Sequence, residues 1–297
     1  MKKIVSAFLA ISMAAALAGC AGGTTTESET VNTTAAETAA ADTAAVADTT
    51  ASADSAADES TAAEESAVAG TDESAAAAGE VMSYDEYIAA DLDSQVTIQA
   101  YVQAKQSYYA EQSTATVYAQ DQDGAYFLYD MACPEDQYDL LVPGTKIQVT
   151  GYKAEWSGEV EIIDASFEII DDGDTYIATP LDVTDMLGTD DLINYQNQAV
   201  SFTGMTVEAA GQDADGNDVA FLYNYDGSGT EGDDLYFNAS YNGQTYTFTI
   251  ESYLCDETTD VYQAVKALEI GQTINMEGFL YWYEGVNPHI TSVTVAE

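Results

Sequence analysis

The segments Leu141-Val142-Pro143-Gly144-Thr145-Lys146-Ile147-Gln148-Val149-Thr150-Gly151 and Leu268-Glu269-Ile270-Gly271-Gln272-Thr273-Ile274-Asn275-Met276-Glu277-Gly278 are one pattern written twice, 127 positions apart. In both, a leucine leads into a glycine turn, an apolar-polar alternation follows, and a second glycine closes the stretch. A period of two marks a strand with one buried face. A glycine inside such a strand marks a bend or the close approach of another backbone. The same displacement pairs Trp156 with Tyr283, Gly158 with Gly285 and Ile163 with Ile290. Matches held at one displacement argue for an internal duplication.

Upstream of the first copy, Ser83-Tyr84-Asp85-Glu86 has the spacing of a capping box and predicts a short helix reaching about Leu92. Residues 96–102 alternate and predict an opening strand. Residues 116–120 and 125–130 flank Asp121-Gln122-Asp123-Gly124, a hairpin signal. Polar residues 134–141 predict a helix before the Pro143-Gly144 turn, and Ser157-Gly158 joins a strand at 146–152 to one at 159–170. In the second half, 200–207 stands for the opening strand, 219–225 with 235–250 for the middle strands, and 258–268 for the helix. The fold class is therefore mainly β, in two modules, 81–172 and 175–297, parted by Asp171-Asp172-Gly173-Asp174.

Each module resembles an OB-fold, the five-stranded Greek-key barrel, here in tandem and with a short helix in each copy. The opening strand 96–102, the segment 124–129 and the duplicated glycine pattern carry the resemblance. It implies that the first glycine of each copy turns the chain into the fourth strand. The second would sit where that strand bends around the barrel and no side chain fits. It further implies a ligand face across the second and third strands, bordered by the loops between strands one and two and between four and five.

The first residues state an address. Lys2 and Lys3, the apolar run 4–16 and Leu17-Ala18-Gly19-Cys20 resemble a bacterial lipoprotein signal peptide (1–19) with its cut before Cys20. The run is too short to span a bilayer comfortably. The expectation is a lipid on Cys20, which makes the membrane a partner through that anchor and holds the chain on the extracytoplasmic side. Residues 20–80, rich in Ala, Thr, Ser, Asp and Glu and without aromatics, are expected to form a disordered acidic linker.

The formal net charge is −46, all six basic residues are lysines, and cleavage before Cys20 would leave four of them against 52 acids. Phosphate contacts rest on lysine and arginine, so this balance disfavours nucleic acid and favours neutral or cationic partners. By the module boundaries, Tyr108 and Tyr109 fall in the loop between strands one and two of the first module, and Trp156 beside its last turn. Tyr281, Trp282 and Tyr283 fall in the corresponding last loop of the second module. Aromatic faces stack on sugar rings, while Asp, Glu and Asn accept from their hydroxyls. These six residues are therefore the candidate ligand-binding set, with a glycan or other neutral ligand as the main reading. A cationic protein partner and, by fold analogy, single-stranded nucleic acid are the alternatives. The same tyrosines also suit barrel walls.

Other chemistry finds little footing. The carboxylates of Gln212-Asp213-Ala214-Asp215-Gly216-Asn217-Asp218 alternate as in calcium loops, but the glycine comes one place early and no glutamate closes the loop, so a hairpin tip is expected and no metal. No nucleophile elbow, zinc spacing or phosphate loop occurs, and the one histidine, His289, reads as structural. Cys133 and Cys255 read as small buried hydrophobes. No enzyme activity and no cofactor are expected.

Overall fold

Five strands of the first module close on themselves: β1 (Gln95–Lys105), β2 (Thr114–Gln120), β3 (Ala125–Ala132), β4 (Lys146–Trp156) and β5 (Glu159–Ile169). They run in the order β1-β2-β3-β5-β4, and β4 pairs back onto β1. The computed structural model describes residues 79–296. The expected signal peptide at 1–19, the lipid on Cys20 and nearly all of the linker at 20–80 lie outside the described residues. The alternation read from sequence fills the barrel, with Val96, Ile98, Ala100 and Val102 of β1 buried beside Val117, Leu128, Ile147, Val149 and Ile162. Helix α1 (Tyr84–Ala89) starts at the expected capping box, where Ser83 and Glu86 each satisfy the other's backbone amide. Helix α2 (Glu135–Tyr138) lies between β3 and β4.

After a two-residue strand, β6 (Leu181–Asp182), the second module repeats the plan. Its opening strand is β7 (Ala199–Glu208). A small hairpin of β8 (Gly211–Gln212) and β9 (Asp218–Val219), followed by β10 (Phe221–Tyr223), precedes β11 (Leu235–Tyr241) and β12 (Gln244–Ile250). Helix α3 (Asp260–Lys266), β13 (Thr273–Phe279) and β14 (His289–Val295) complete it. Strand β7 pairs with both β11 and β13, and β12 runs parallel to β14, so this sheet closes as the first does. The middle strands are thus β11 and β12. Residues 219–225, expected among them, belong instead to an insertion whose β10 lies against the edge of β11. The loop 213–217 is a hairpin tip as expected, closed by Asp213 Oδ1 accepting the amides of Asp215 and Asn217. Cys133 and Cys255 are buried free thiols.

The duplicated glycines do what the repeat requires. Gly144 and Gly271 turn into β4 and β13 at φ +90 and +89. Gly151 and Gly278 sit where a neighbouring strand crosses: a Cβ on Gly278 would stand 2.2 Å from the His289 carbonyl oxygen, and one on Gly151 2.8 Å from that of Ile163. Backbone cannot yield there without opening the ladder. Gly278→Ala should cost about 3 kcal/mol, against about 1–2 kcal/mol for Gly271→Ala, where nothing stands within 4 Å and only φ is at issue. Urea midpoints of the two variants check the ranking, and equal losses would count against the close-approach account.

The barrels are joined through a third apolar cluster. Tyr118 on the outer face of β2 stacks on Phe279 at 4.4 Å, and Phe127 on β3 meets Tyr281 at 5.3 Å. The segment between modules is pinned to barrel 1, with the Ala178 amide donating to Gln103 Oε1 and Thr175 Oγ1 to the Gly144 carbonyl. Barrel 2 thus covers much of the face on which the fold resemblance placed a ligand of barrel 1.

Candidate functional site

The corresponding face of barrel 2 is open. Tyr236 and Asn238 of β11 and Thr247 of β12 form the floor of a groove of 340 Å³. One wall comes from the insertion, through Ala210, Leu222 and Tyr225, and the other from the β13–β14 connection, through Tyr283, Val286 and Asn287. No charged side chain lines it, in a chain whose net charge is −46. Its amides are oriented by the fold. Asn238 Nδ2 donates to the Ala209 carbonyl and Thr247 Oγ1 to Asn238 Oδ1, while Thr249 Oγ1 donates to Asn287 Oδ1 at 2.7 Å. That last bond occupies the Asn287 oxygen and leaves its NH₂ as donor.

Aromatic rings border the groove. Tyr225 is 78% exposed and meets Tyr236 edge-on at 6.5 Å. Tyr283 is 45% exposed and packs against Trp156, 53% exposed, with ring centroids 5.1 Å apart. Trp156 and Tyr283 are the duplicated pair, each from the last hairpin of its own barrel. The two hairpins meet, and the Glu284 amide donates to the Ser157 carbonyl at 2.7 Å.

A second cleft, of 460 Å³, lies between the barrels. It gathers Tyr108 and Tyr109 from the β1–β2 loop and Tyr281 from barrel 2, together with Tyr129, Tyr253, Asp130 and Glu251. The six candidate residues therefore divide. Trp156 and Tyr283 stand by the neutral groove, whereas Tyr108, Tyr109 and Tyr281 line the second cleft. Trp282 lines neither. Its indole packs on the core of barrel 2 and against Gly158, and its amide donates to Glu159 Oε2 at 2.9 Å.

His289 is buried, its Nδ1 2.8 Å from the Tyr118 hydroxyl, and burial drives its pKa down to about 3, so the ring is neutral. Three glutamates are buried near this junction. Burial pushes Glu159 up to about 8, against the pull of Asn197 and the Trp282 amide. Burial also lifts Glu161, with the Asp130 charge adding to it, and Glu251, each up to about 7.

All four lysines among the described residues are engaged. Lys105 caps the Tyr138 carbonyl, Lys146 pairs with Asp172 and Asp174, Lys153 binds the carbonyls of Tyr87, Ile88 and Ala90, and Lys266 pairs with Glu231.

No protein-family model matches the chain, and no curated protein does. Among solved structures it is similar to the p204 HINb domain, at 10% identity and a TM-score of 0.30 over 67% of this chain and 95% of that one. It is similar to the Ifi202 HINa domain in complex with 20-bp double-stranded DNA, at 10% identity and a TM-score of 0.30 over 69% and 96%. It is also similar to a replication protein A heterotrimer bound to single-stranded DNA, at 12% identity and a TM-score of 0.29 over 68% of this chain and 49% of that one. That two of these structures hold DNA corrects the expectation that nucleic acid is a disfavoured partner. Charge balance alone does not exclude it, and the exclusion is withdrawn.

Sequence reasoning missed Tyr225, Tyr236 and Asn238. The outward positions of the alternation Leu235-Tyr236-Phe237-Asn238 carried a signal for two of them, obscured by counting 219–225 among the middle strands.

Proposed function

We propose that the chain is a non-catalytic binding protein whose barrel 2 groove takes a neutral, hydroxyl-rich ligand of the glycan class. One observation carries the reading: in a strongly acidic chain, the groove on the fold's ligand face is lined only by tyrosines, amides, a threonine and aliphatic groups. A sugar ring offers an apolar face to Tyr225 or Tyr283, and hydroxyls to Asn238, Thr247 and Asn287. A lining without charge imposes no desolvation cost of the kind that a buried carboxylate would. The reading of residues 1–20 adds the location: a lipid on Cys20 would hold the chain at the cell envelope.

The test is a glycan array followed by calorimetry on the full chain. Tyr225→Ala, at a side chain almost wholly in solvent, should weaken a captured glycan about tenfold, or ~1.4 kcal/mol, without moving the unfolding midpoint. An array with no retained glycan would sink the proposal. Binding of single-stranded DNA that Tyr225→Ala weakens would transfer the groove to the nucleic-acid reading.

A further inference from the structure

We propose that the cleft between the barrels is a second binding site, for the ammonium head of an organic cation, held over tyrosine rings with Glu251 and Asp130 at its rim. The inference is independent of the neutral groove. The cleft's 460 Å³ is the size of a small-molecule site. Its lining differs from that groove in one respect that decides the ligand: it carries two carboxylates and no lysine.

Glu251 is held in place from both barrels. Its Oε2 accepts from Gln106 Nε2 of barrel 1 at 3.0 Å and its Oε1 from the Tyr253 amide at 3.1 Å. Both donors are neutral, so they orient the carboxyl, which burial lifts to about 7, and a cation seated beside it would favour its ionised form. Asp130 Oδ1 accepts only the Thr114 hydroxyl, at 3.2 Å, among the described residues. Glu161, 8% exposed and without a hydrogen-bond partner among the described residues, lies close enough behind Asp130 to be influenced by its charge. No cation among the described residues answers them, because every described lysine is engaged elsewhere, and His289, which also lines the cleft, is neutral.

The aromatic walls decide between kinds of cation. Tyr109, Tyr129 and Tyr253 stand exposed at the mouth, while Phe127 is buried and Tyr281 stacks on His289 at 4.3 Å. Ring faces attract alkylammonium groups within about 6 Å. A bare divalent ion needs converging oxygens instead, and no three acidic, thiol or imidazole groups among the described residues converge to hold one.

The full chain is titrated calorimetrically with choline, n-butylamine and Nα-acetyl-lysine methylamide, and with 3,3-dimethylbutan-1-ol, which has the shape of choline without the charge. Saturable binding of an ammonium compound, with the alcohol about tenfold weaker or more, is the expected result. A preference for the lysine amide assigns the head to a protein side chain, and a preference for choline or butylamine to a free amine. Glu251→Gln and, as a second variant outside the core, Asp130→Asn should each weaken binding several-fold, whereas Tyr225→Ala in the other groove should leave it unchanged. Equal affinity for the alcohol, unchanged affinity in both charge variants, or no saturation below about 10 mM overturns the proposal.

Discussion

Through Glu159 alone, raising the pH from about 5 to about 8.5 should remove up to about 4 kcal/mol of folding stability, and Glu159→Gln should abolish that share of the loss. Glu159 is fully buried where the last hairpins of the barrels meet. Its Oε2 accepts the Trp282 amide, while its Oε1 is buried with no partner among the described residues. Burial accordingly raises this carboxyl from its ordinary 4.5 to about 8. A carboxyl raised on folding contributes stability that is fully present below its unfolded value and is lost as pH climbs through the folded one. The window of loss is therefore 4.5 to about 8. Glu161 and Glu251, raised to about 7, act in the same sense. Carboxylates such as Asp182, held low chiefly by the Thr184 hydroxyl and amide, act in the opposite sense, and only below the ordinary carboxylate range. A glutamine at 159 is neutral at every pH, so this window of loss is absent from the variant. Urea unfolding of both chains across the window gives the comparison, and parallel curves would refute the assignment.

The duplicated glycines made both barrels legible in the sequence, because a backbone crossing at Gly151 and Gly278 leaves a mark that no surface substitution can blur. Strand alternation did the same for β1 and β7. What stayed hidden is the relation between the barrels. In Thr114-Ala115-Thr116-Val117-Tyr118-Ala119-Gln120 the inward residues are the small apolar ones, and the outward Tyr118 and Gln120 suit a wet surface as well as a covered one. Both are buried, since barrel 2 lies over them and the Ala199 amide donates to Gln120 Oε1. The buried glutamates were illegible for a related reason: among 52 acids, none is marked in advance as the one a second domain will cover. The candidate aromatics were placed on the correct loops, but their division between two clefts depends on how the barrels dock, which a pattern within each module does not record.

That docking gives the remaining prediction. Tyr118→Ala should lower stability by about 3–5 kcal/mol and separate one unfolding transition into two. The side chain is 0% exposed, its ring lies 13° from parallel with Phe279, and its hydroxyl meets the buried His289 Nδ1. Truncation removes the stack and leaves the imidazole without its partner. Tyr118→Phe separates the two contributions: it keeps the stack and loses only the hydrogen bond, about 1–3 kcal/mol with the imidazole unsatisfied. A double-mutant cycle with Phe279→Ala should return a coupling of about 0.5–1.5 kcal/mol for the ring pair. The consequence reaches the ligand grooves, because Trp156 belongs to barrel 1 and Tyr283 to barrel 2, and the cleft holding Glu251 draws Gln106 from one barrel and Tyr253 from the other. Loosened barrels would misplace the inter-barrel cleft and the Trp156–Tyr283 contact beside the groove while every ligand-contacting side chain is intact. Tyr118→Ala should therefore weaken binding at the inter-barrel cleft more than at the neutral groove, whose floor and walls all belong to barrel 2. A variant that melts in one transition, with less than about 1 kcal/mol lost and cleft affinity unchanged, would show that the barrels do not depend on this contact for their mutual placement.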